Sequence, residues 1–386
     1  MILFFTLYGI TGIVPLIAAL YLLLRRGNAF AADTTSPLRL RRWAASFFTF
    51  AALAHVWWLL FYLYSGDLNS AGYMVLAIVD CVLLFTTFAG TLLAMLQDRR
   101  RSVWPALMAV MPFPAFLGVY MFWPHSLLLI ITTAYIILLY VCFTGYMVVA
   151  IRQYGRWLND NYADLENKKV WLSQAVAHVC MLLFVLYVLA TDMVLIWSIH
   201  IIELVLVGLL LWRVETLPCL DSRTTPDRPT PLPLPVREGS EYSQDREQEE
   251  GLTTPLPARE GQGGGSAVDL DYLSGLLQQH CIDKQLYLQH DLSLQQLAQA
   301  VGTNRYYLSQ YFSHQGINYN TYINNLRINH FISRYQELAA TGRPVVAMEL
   351  ARESGFHSYS TFSRAFMLRT GQSVTAWMRE SGNEMP

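Results

Sequence analysis

Five ionisable side chains stand inside otherwise apolar runs of this chain: His55, Asp80, His178, His200 and Glu203. A charge within a hydrocarbon-length run is costly and ordinarily faces an interior cavity or a partner. His200 and Glu203 are spaced i, i+3 and so share one helix face. Histidine and carboxylate together suit a polar ligand or a zinc ion. The same residues serve equally well as pairs that tie helices together, so three readings stand open: helix-tying pairs, a membrane ligand pocket and a catalytic metal site. No His-x-x-x-His pair lies on the last apolar run, which counts against a metal-dependent hydrolase. No nucleophile motif, Walker loop or dinucleotide fingerprint is convincing either. The expectation is a non-enzyme with no catalytic residue, resident metal or cofactor. Cys81, Cys142, Cys180, Cys219 and Cys281 are scattered, odd in number and form no C-x-x-C pair, which argues against a disulfide framework or zinc knuckle.

A second kind of chemistry, recognition, is written near the C-terminus. Leu294, Leu297, Ala298 and Val301 have the i, i+3, i+4, i+7 spacing of a helix with one buried face. Ser293 and Gln296 make a capping box at its start, and Gly302 ends it in the left-handed conformation glycine tolerates. Asn304–Phe312 then reads as a second helix burying Leu308, Tyr311 and Phe312. The pattern repeats. Val346, Leu350 and Ala351 form a buried face, Gly355 the turn, Ser358 an N-cap, and Phe356, Phe362 and Phe366 the wedge. Between the copies, Tyr319, Tyr322, Ile323, Leu326, Ile328 and Phe331 suit a connecting helix. A helix, a tight glycine turn and a second helix is the arrangement by which many proteins enter the major groove.

In order along the chain, "LSLQQLAQAVGTNRYYLSQYF", "GINYNTYINNLRI", "ELARESGFHSYSTFSRAF" and "TGQSVTAW" resemble the AraC/XylS transcription regulators, over roughly the last third of the sequence. The resemblance implies two helix-turn-helix units on a linker helix, with double-stranded promoter DNA as partner. It also implies the contacts. Arg305, Tyr306, Ser309 and Gln310 would face one groove segment, and Tyr359, Ser360, Ser363 and Arg364 the next. Arginine and glutamine bond base edges bidentately, whereas serine and tyrosine more often hold phosphates. Two departures stand out. Met367 and Leu368 occupy positions where the family usually has basic residues, and Val374 replaces a proline of the closing motif. Charge is an independent test. From Leu292 to Arg379 there are eight arginines, Arg327 among them, against three glutamates, an excess of five positive charges. That sign suits phosphate, and the whole-chain charge of −1 conceals it.

These residues need elements to hold them. Of 386 residues, 54% are hydrophobic and only 14% charged, and the apolar ones crowd into the first 212 positions. Seven runs approach the length needed to cross a hydrocarbon layer: Ile2–Leu24, Ala44–Tyr64, Tyr73–Leu96, Val103–Trp123, Leu127–Ile151, Trp171–Ala190 and Met193–Trp212. Ile2–Leu24 lacks a basic leader and reads as a retained span. Arginine and lysine fill alternate loops (Arg25 to Arg42, Arg99 to Arg101, Arg152 to Lys169, and Arg213), while the other loops contain neither. That alternation puts the basic loops in the cytoplasm, with the N-terminus outside and everything after Arg213 inside. The segment "RQYGRWLNDNYADLENKKVW", rich in aromatics and in both charges, reads either as a solvated loop with a short helix or as a docking surface for the C-terminal domain or another subunit.

Proline, glycine and charge dominate 214–266, where "TPLPLPVREG" recurs as "TPLPAREG" around an acidic stretch. Such a composition cannot bury a core. About 50 flexible residues would span roughly 35–45 Å. The expected fold is therefore all-α: a seven-helix transmembrane domain (1–213), a disordered linker (214–266) and an AraC-type double helix-turn-helix domain (267–386). The expected function is a transcription regulator anchored in the inner membrane, responding there to a signal and binding promoter DNA in the cytoplasm. Lipid, RNA polymerase and a second copy through the membrane domain would be further partners. The rival is a membrane hydrolase or transporter bundle carrying a regulatory DNA-binding domain.

Overall fold

The computed structural model describes residues 2–25, 28–29, 31, 34–64, 71–123, 126–189, 193–220, 270–341 and 345–383. Their regular structure is helical, with no strand among the described residues beyond one isolated bridge between Tyr162 and Ser293. Two compact units result. One comprises Met1–Leu158 and Leu165–Thr224; the other comprises Asn159–Asp164 and Thr225–Pro386.

The first unit contains α1 (Ile2–Leu24), α2 (Leu38–Tyr64), α3 (Ala71–Ala94), α4 (Trp104–Val110), α5 (Pro112–Phe122), α6 (Ser126–Asn161, all but its last three residues), α7 (Trp171–Leu189) and α8 (Met193–Thr216). Each apolar run of the sequence becomes helical. The fourth is broken at Met111, because Pro112 and Pro114 cannot donate into the preceding turn. Among the described residues, five helices are long and apolar enough to cross a membrane: Phe5–Leu24, Leu38–Tyr64, Gly72–Ala94, Trp104–Phe122 and Ile130–Asn161. Trp171–Leu186 is a shorter apolar helix. Small side chains let α1 and α2 approach closely: Ala18 and Ala19 on one, Ala44, Ala51 and Ala52 on the other, all buried. At Gly90 of α3 a Cβ would clash with the Trp43 indole, so glycine lets that ring pack against the helix.

Arginines at the ends of these helices are structural. Arg41 donates to Leu22 O at 2.7 Å and to Arg25 O, and lies 3.6 Å from the buried Glu215 carboxylate. Tyr21 donates to the same carboxylate at 2.8 Å. Arg213 donates to Asn167 O and Lys169 O. The first residues of the expected linker are likewise packed. Val214, Leu217 and Leu220 are buried, and the Gln97 carboxamide bonds Pro218 O and Leu220 N. Residues 221–266 of that linker lie outside the described residues.

In the second unit, α9 (Leu270–Leu277) runs into a π-helical turn (Gln278–Ile282) and a 3₁₀ turn (Leu286–Leu288). There follow α10 (Leu294–Val301), α11 (Arg305–His314), α12 (Tyr319–Ala340), α13 (Ala347–Glu353), α14 (Tyr359–Thr370) and α15 (Val374–Asn383). Helix α12 belongs to two cores. Its first half gives Tyr319 and Ile323 to a cluster with Leu297, Leu308 and Phe312. Its second half gives Ile328, Phe331 and Tyr335 to one with Leu350, Phe356, Phe362 and Phe366. Phe331 is the centre of the latter, 4.5 Å from the Phe362 ring and 5.8 Å from Phe366. Cys281 is buried in the first cluster, and burial pushes its thiol up to about 12, so it packs as a small hydrophobe.

Arg327 overturns one expectation. It counts in the sequence towards a positive, DNA-facing charge, yet its side chain is 0% exposed. The reason is its register: Ile323, Arg327, Phe331 and Tyr335 form an i, i+4 series, and all four are buried. Its guanidinium donates from Nε to Tyr287 O at 2.7 Å, from Nη2 to Gln289 O at 2.8 Å and from Nη1 to the Asp164 carboxylate at 3.2 Å. It also lies over the Phe356 ring, 5.6 Å from its centroid. Val346 is a second correction. It occupies the N-cap of α13 and is 52% exposed, so it is not part of that helix's buried face.

Phe331→Ala should destabilise the second unit by about 3–5 kcal/mol, the range for emptying a packed aromatic site. Hydrogen exchange of the purified chain should show the loss in α12–α14.

Candidate DNA interface

The first helix-turn-helix begins with the expected box. Ser293 Oγ accepts from Gln296 N at 3.3 Å, and Ser293 N donates to Gln296 Oε1 at 2.8 Å. Gly302 closes α10 with φ +76°. Asn304 precedes the second helix as its N-cap, accepting from Tyr307 N at 3.1 Å. In the second unit Ser358 caps α14 by accepting from Thr361 N at 3.3 Å, as its sequence position predicts. Gly355 takes φ +88° in the turn between α13 and α14.

The caps set a common register. Arg305, Tyr306, Ser309 and Gln310 are the first, second, fifth and sixth residues of α11; Tyr359, Ser360, Ser363 and Arg364 hold the same places on α14. Spacing of i, i+4 puts each set on one face. The opposite face is the core: Leu308 and Phe312 on α11, Phe362 and Phe366 on α14, again at matching places. Tyr306, Ser309, Gln310, Tyr359, Ser360 and Arg364 are exposed, and Arg305 and Ser363 half-buried. Gln310 Nε2 donates to the Tyr306 hydroxyl at 2.7 Å, which pre-orients that carboxamide.

The electropositive surface is smaller than composition implies. Arg327 is internal, Arg334 pairs with Glu337 at 2.5 Å, and Arg343 lies outside the described residues. Arg352, Arg364, Arg369 and Arg379 remain exposed, with Arg305 half-buried. Met367 and Leu368 are exposed at the end of α14, Leu368 81%, so they are apolar surface in place of the basic residues the resemblance implies. Val374 starts α15 and is buried, with Ser373 accepting from Ala376 N at 3.2 Å. The helix therefore begins without proline.

Residues 297–380 match a family model described as a helix-turn-helix domain. The C-terminal domain is a DNA-binding helix-turn-helix domain of the AraC type. DNA binding in transcription regulation is therefore the function of this part of the chain. No curated protein and no solved structure matches the chain.

The apolar half brings some of its ionisable candidates together. His55 Nε2 is 3.5 Å from the Glu203 carboxylate and 2.9 Å from Thr11 Oγ1, while its Nδ1 donates to Ala51 O at 2.9 Å. The His55 and His200 rings lie 6.1 Å apart, with Tyr8 beside both. Asp80 accepts from the indoles of Trp57 and Trp58. His178 has different partners: its Nδ1 donates to Gln174 O at 2.7 Å and its ring stacks on Phe143. Among the described residues no group of three or more His, Cys, Asp or Glu side chains is placed to hold a metal ion.

The two turn glycines should respond differently to substitution. Around Gly302 an added Cβ meets open space, whereas at Gly355 it would lie 2.8 Å from the Leu288 backbone. Gly302→Ala should cost about 1–2 kcal/mol, the penalty for left-handed backbone. Gly355→Ala should cost more and displace the Leu286–Leu288 turn, readable as a lower midpoint in parallel thermal unfolding scans.

Proposed function

We propose that the protein is a membrane-anchored transcription regulator whose two reader helices, α11 and α14, enter successive major-groove segments of promoter DNA. The observation carrying this is the shared register of their exposed faces on a common linker helix. Helix α12 has 22 residues, about 33 Å at 1.5 Å per residue. That approaches the ~34 Å between major-groove segments on one side of the duplex. One chain can then make both contacts. Arg305 and Gln310 on α11 and Arg364 on α14 are the base-edge readers; Tyr306, Ser309, Tyr359, Ser360 and Ser363 hold phosphate and fix the helices in the groove.

Anchoring is supported by the five apolar helices and by the side to which the basic residues fall. Contacts within the first unit join Arg41 to Glu215, Arg99 to Gln153 and Gln97 to Pro218. The loops that carry positive charge thereby gather at one end of the bundle. By the positive-inside rule that end is cytoplasmic, where the DNA is. In this reading seven spans are crossed, the pair formed by α4 and α5 counting once, and a second copy associates through the bundle. The group of Tyr8, His55, His200 and Glu203 is the place where a polar signal would act, by biasing the populations of two bundle arrangements.

Footprinting with the intact protein tests the reading: protection should cover two adjacent major-groove segments. Arg364→Ala should weaken specific binding by ~1–3 kcal/mol and relax sequence preference at one base position. Unchanged affinity at fixed salt removes Arg364 from the interface. Reporter fusions should place residues 65–72 outside and Pro386 inside, and an external C-terminus ends the proposal.

A further inference from the structure

The DNA-binding unit includes a short piece of chain from far upstream. We infer that Asn159–Asp164, the last three residues of α6 and the three that follow them, is a docking element of the DNA-binding domain that supplies the carboxylate required by the buried Arg327. The inference takes its biological meaning from the DNA-binding reading above, although its geometry stands apart from it.

Three kinds of contact seat the segment. First, charge: Asp164 is 2% exposed, and its carboxylate faces Arg327 Nη1 at 3.2 and 3.3 Å. It also accepts from Asp291 N at 3.0 Å. Asp291 adopts φ +55°, an uncommon conformation for a residue with a side chain. Second, backbone: Ala163 N donates to Leu292 O at 3.2 Å, and Tyr162 pairs with Ser293 as an antiparallel bridge. Asn320 on α12 donates to Tyr162 O at 3.2 Å and to Ala163 O. Third, packing: Ala163 is fully buried in the cluster that contains Leu297, Leu308 and Phe312.

Arg327 explains why the segment is required. Two of its nitrogens are committed to the carbonyls of Tyr287 and Gln289, and neither carbonyl neutralises its charge. A buried guanidinium without a counter-ion is strongly unfavourable, so removing one partner of such a pair destabilises more than removing both. The segment is also next to Ser293, the cap of α10, so it supports the start of the first helix-turn-helix.

The test uses the full chain in membrane vesicles. Facing residues of an antiparallel bridge have Cα atoms about 4.5–5.5 Å apart, within disulfide reach. A Tyr162→Cys/Ser293→Cys variant should therefore form an intramolecular link on mild oxidation, identified by peptide mass mapping. Adding Asp164→Ala should reduce the link yield several-fold. By hydrogen exchange, Asp164→Ala should expose amides of α10–α12, and the Asp164→Ala/Arg327→Met pair should regain much of the protection. Absence of the link, a link between two chains, or exchange unaltered by Asp164→Ala overturns the inference. DNA binding by the unaltered protein is measured alongside. Binding without the link removes the docking element alone, whereas the link without specific binding leaves docking intact and removes the regulator reading.

Discussion

The DNA-binding unit depends on how one guanidinium is kept out of water. Arg327 lies where the two halves of α12 meet, on a stripe otherwise occupied by Ile323, Phe331 and Tyr335. Each of its three nitrogens has an acceptor, and its flat face covers Phe356. Those partners belong to different parts of the unit. Tyr287 and Gln289 flank the first helix-turn-helix, Phe356 belongs to the second, and Asp164 comes from upstream. A polar network of this kind is unforgiving, because a partly satisfied buried charge is worse than none. That demand fixes where the two readers stand relative to α12.

A second link between the halves lies beside it. His290 Nδ1 donates to Gly355 O at 3.1 Å, and the Leu288 backbone is packed where a Cβ on Gly355 would go. The turn of the second helix-turn-helix is thus held against the segment that introduces the first. The turn at Gly302 has no such neighbour. Two copies of one local plan consequently differ in what surrounds them: one glycine answers only to backbone conformation, the other to conformation and close approach.

In the apolar unit, arginine has the same role on a smaller scale. Arg41 satisfies carbonyls at the end of α1 that the helix itself leaves unpaired, and Arg213 does so between α6 and α7. Positive charge at that end therefore closes the end of α1 and the connection between α6 and α7. His55 and Glu203, by contrast, meet within the bundle from α2 and α8, joined by Tyr8 and His200. The sequence spacing links only His200 and Glu203. Bringing His55 to them, and giving Asp80 and His178 other partners, is the work of helix packing.

The sequence by itself determined what is local. The capping box at Ser293, the glycine turns at Gly302 and Gly355, the Ser358 cap and the apolar runs that become helices all rest on interactions spanning a few residues. So does the matched register of the eight candidate DNA contacts, which follows once both helix starts are known. Tertiary structure decided the rest. Periodicity places Arg327 on a buried stripe, but residue type suggested an exposed charge, and only folding brings Asp164 across 163 positions to neutralise it. Val346 shows the converse, an apolar residue left exposed because it precedes the helix it was expected to face. Short-range hydrogen bonds and spacing are written along the chain, whereas the partner of a buried charge is chosen by whichever distant segment the fold brings within about 3 Å of it.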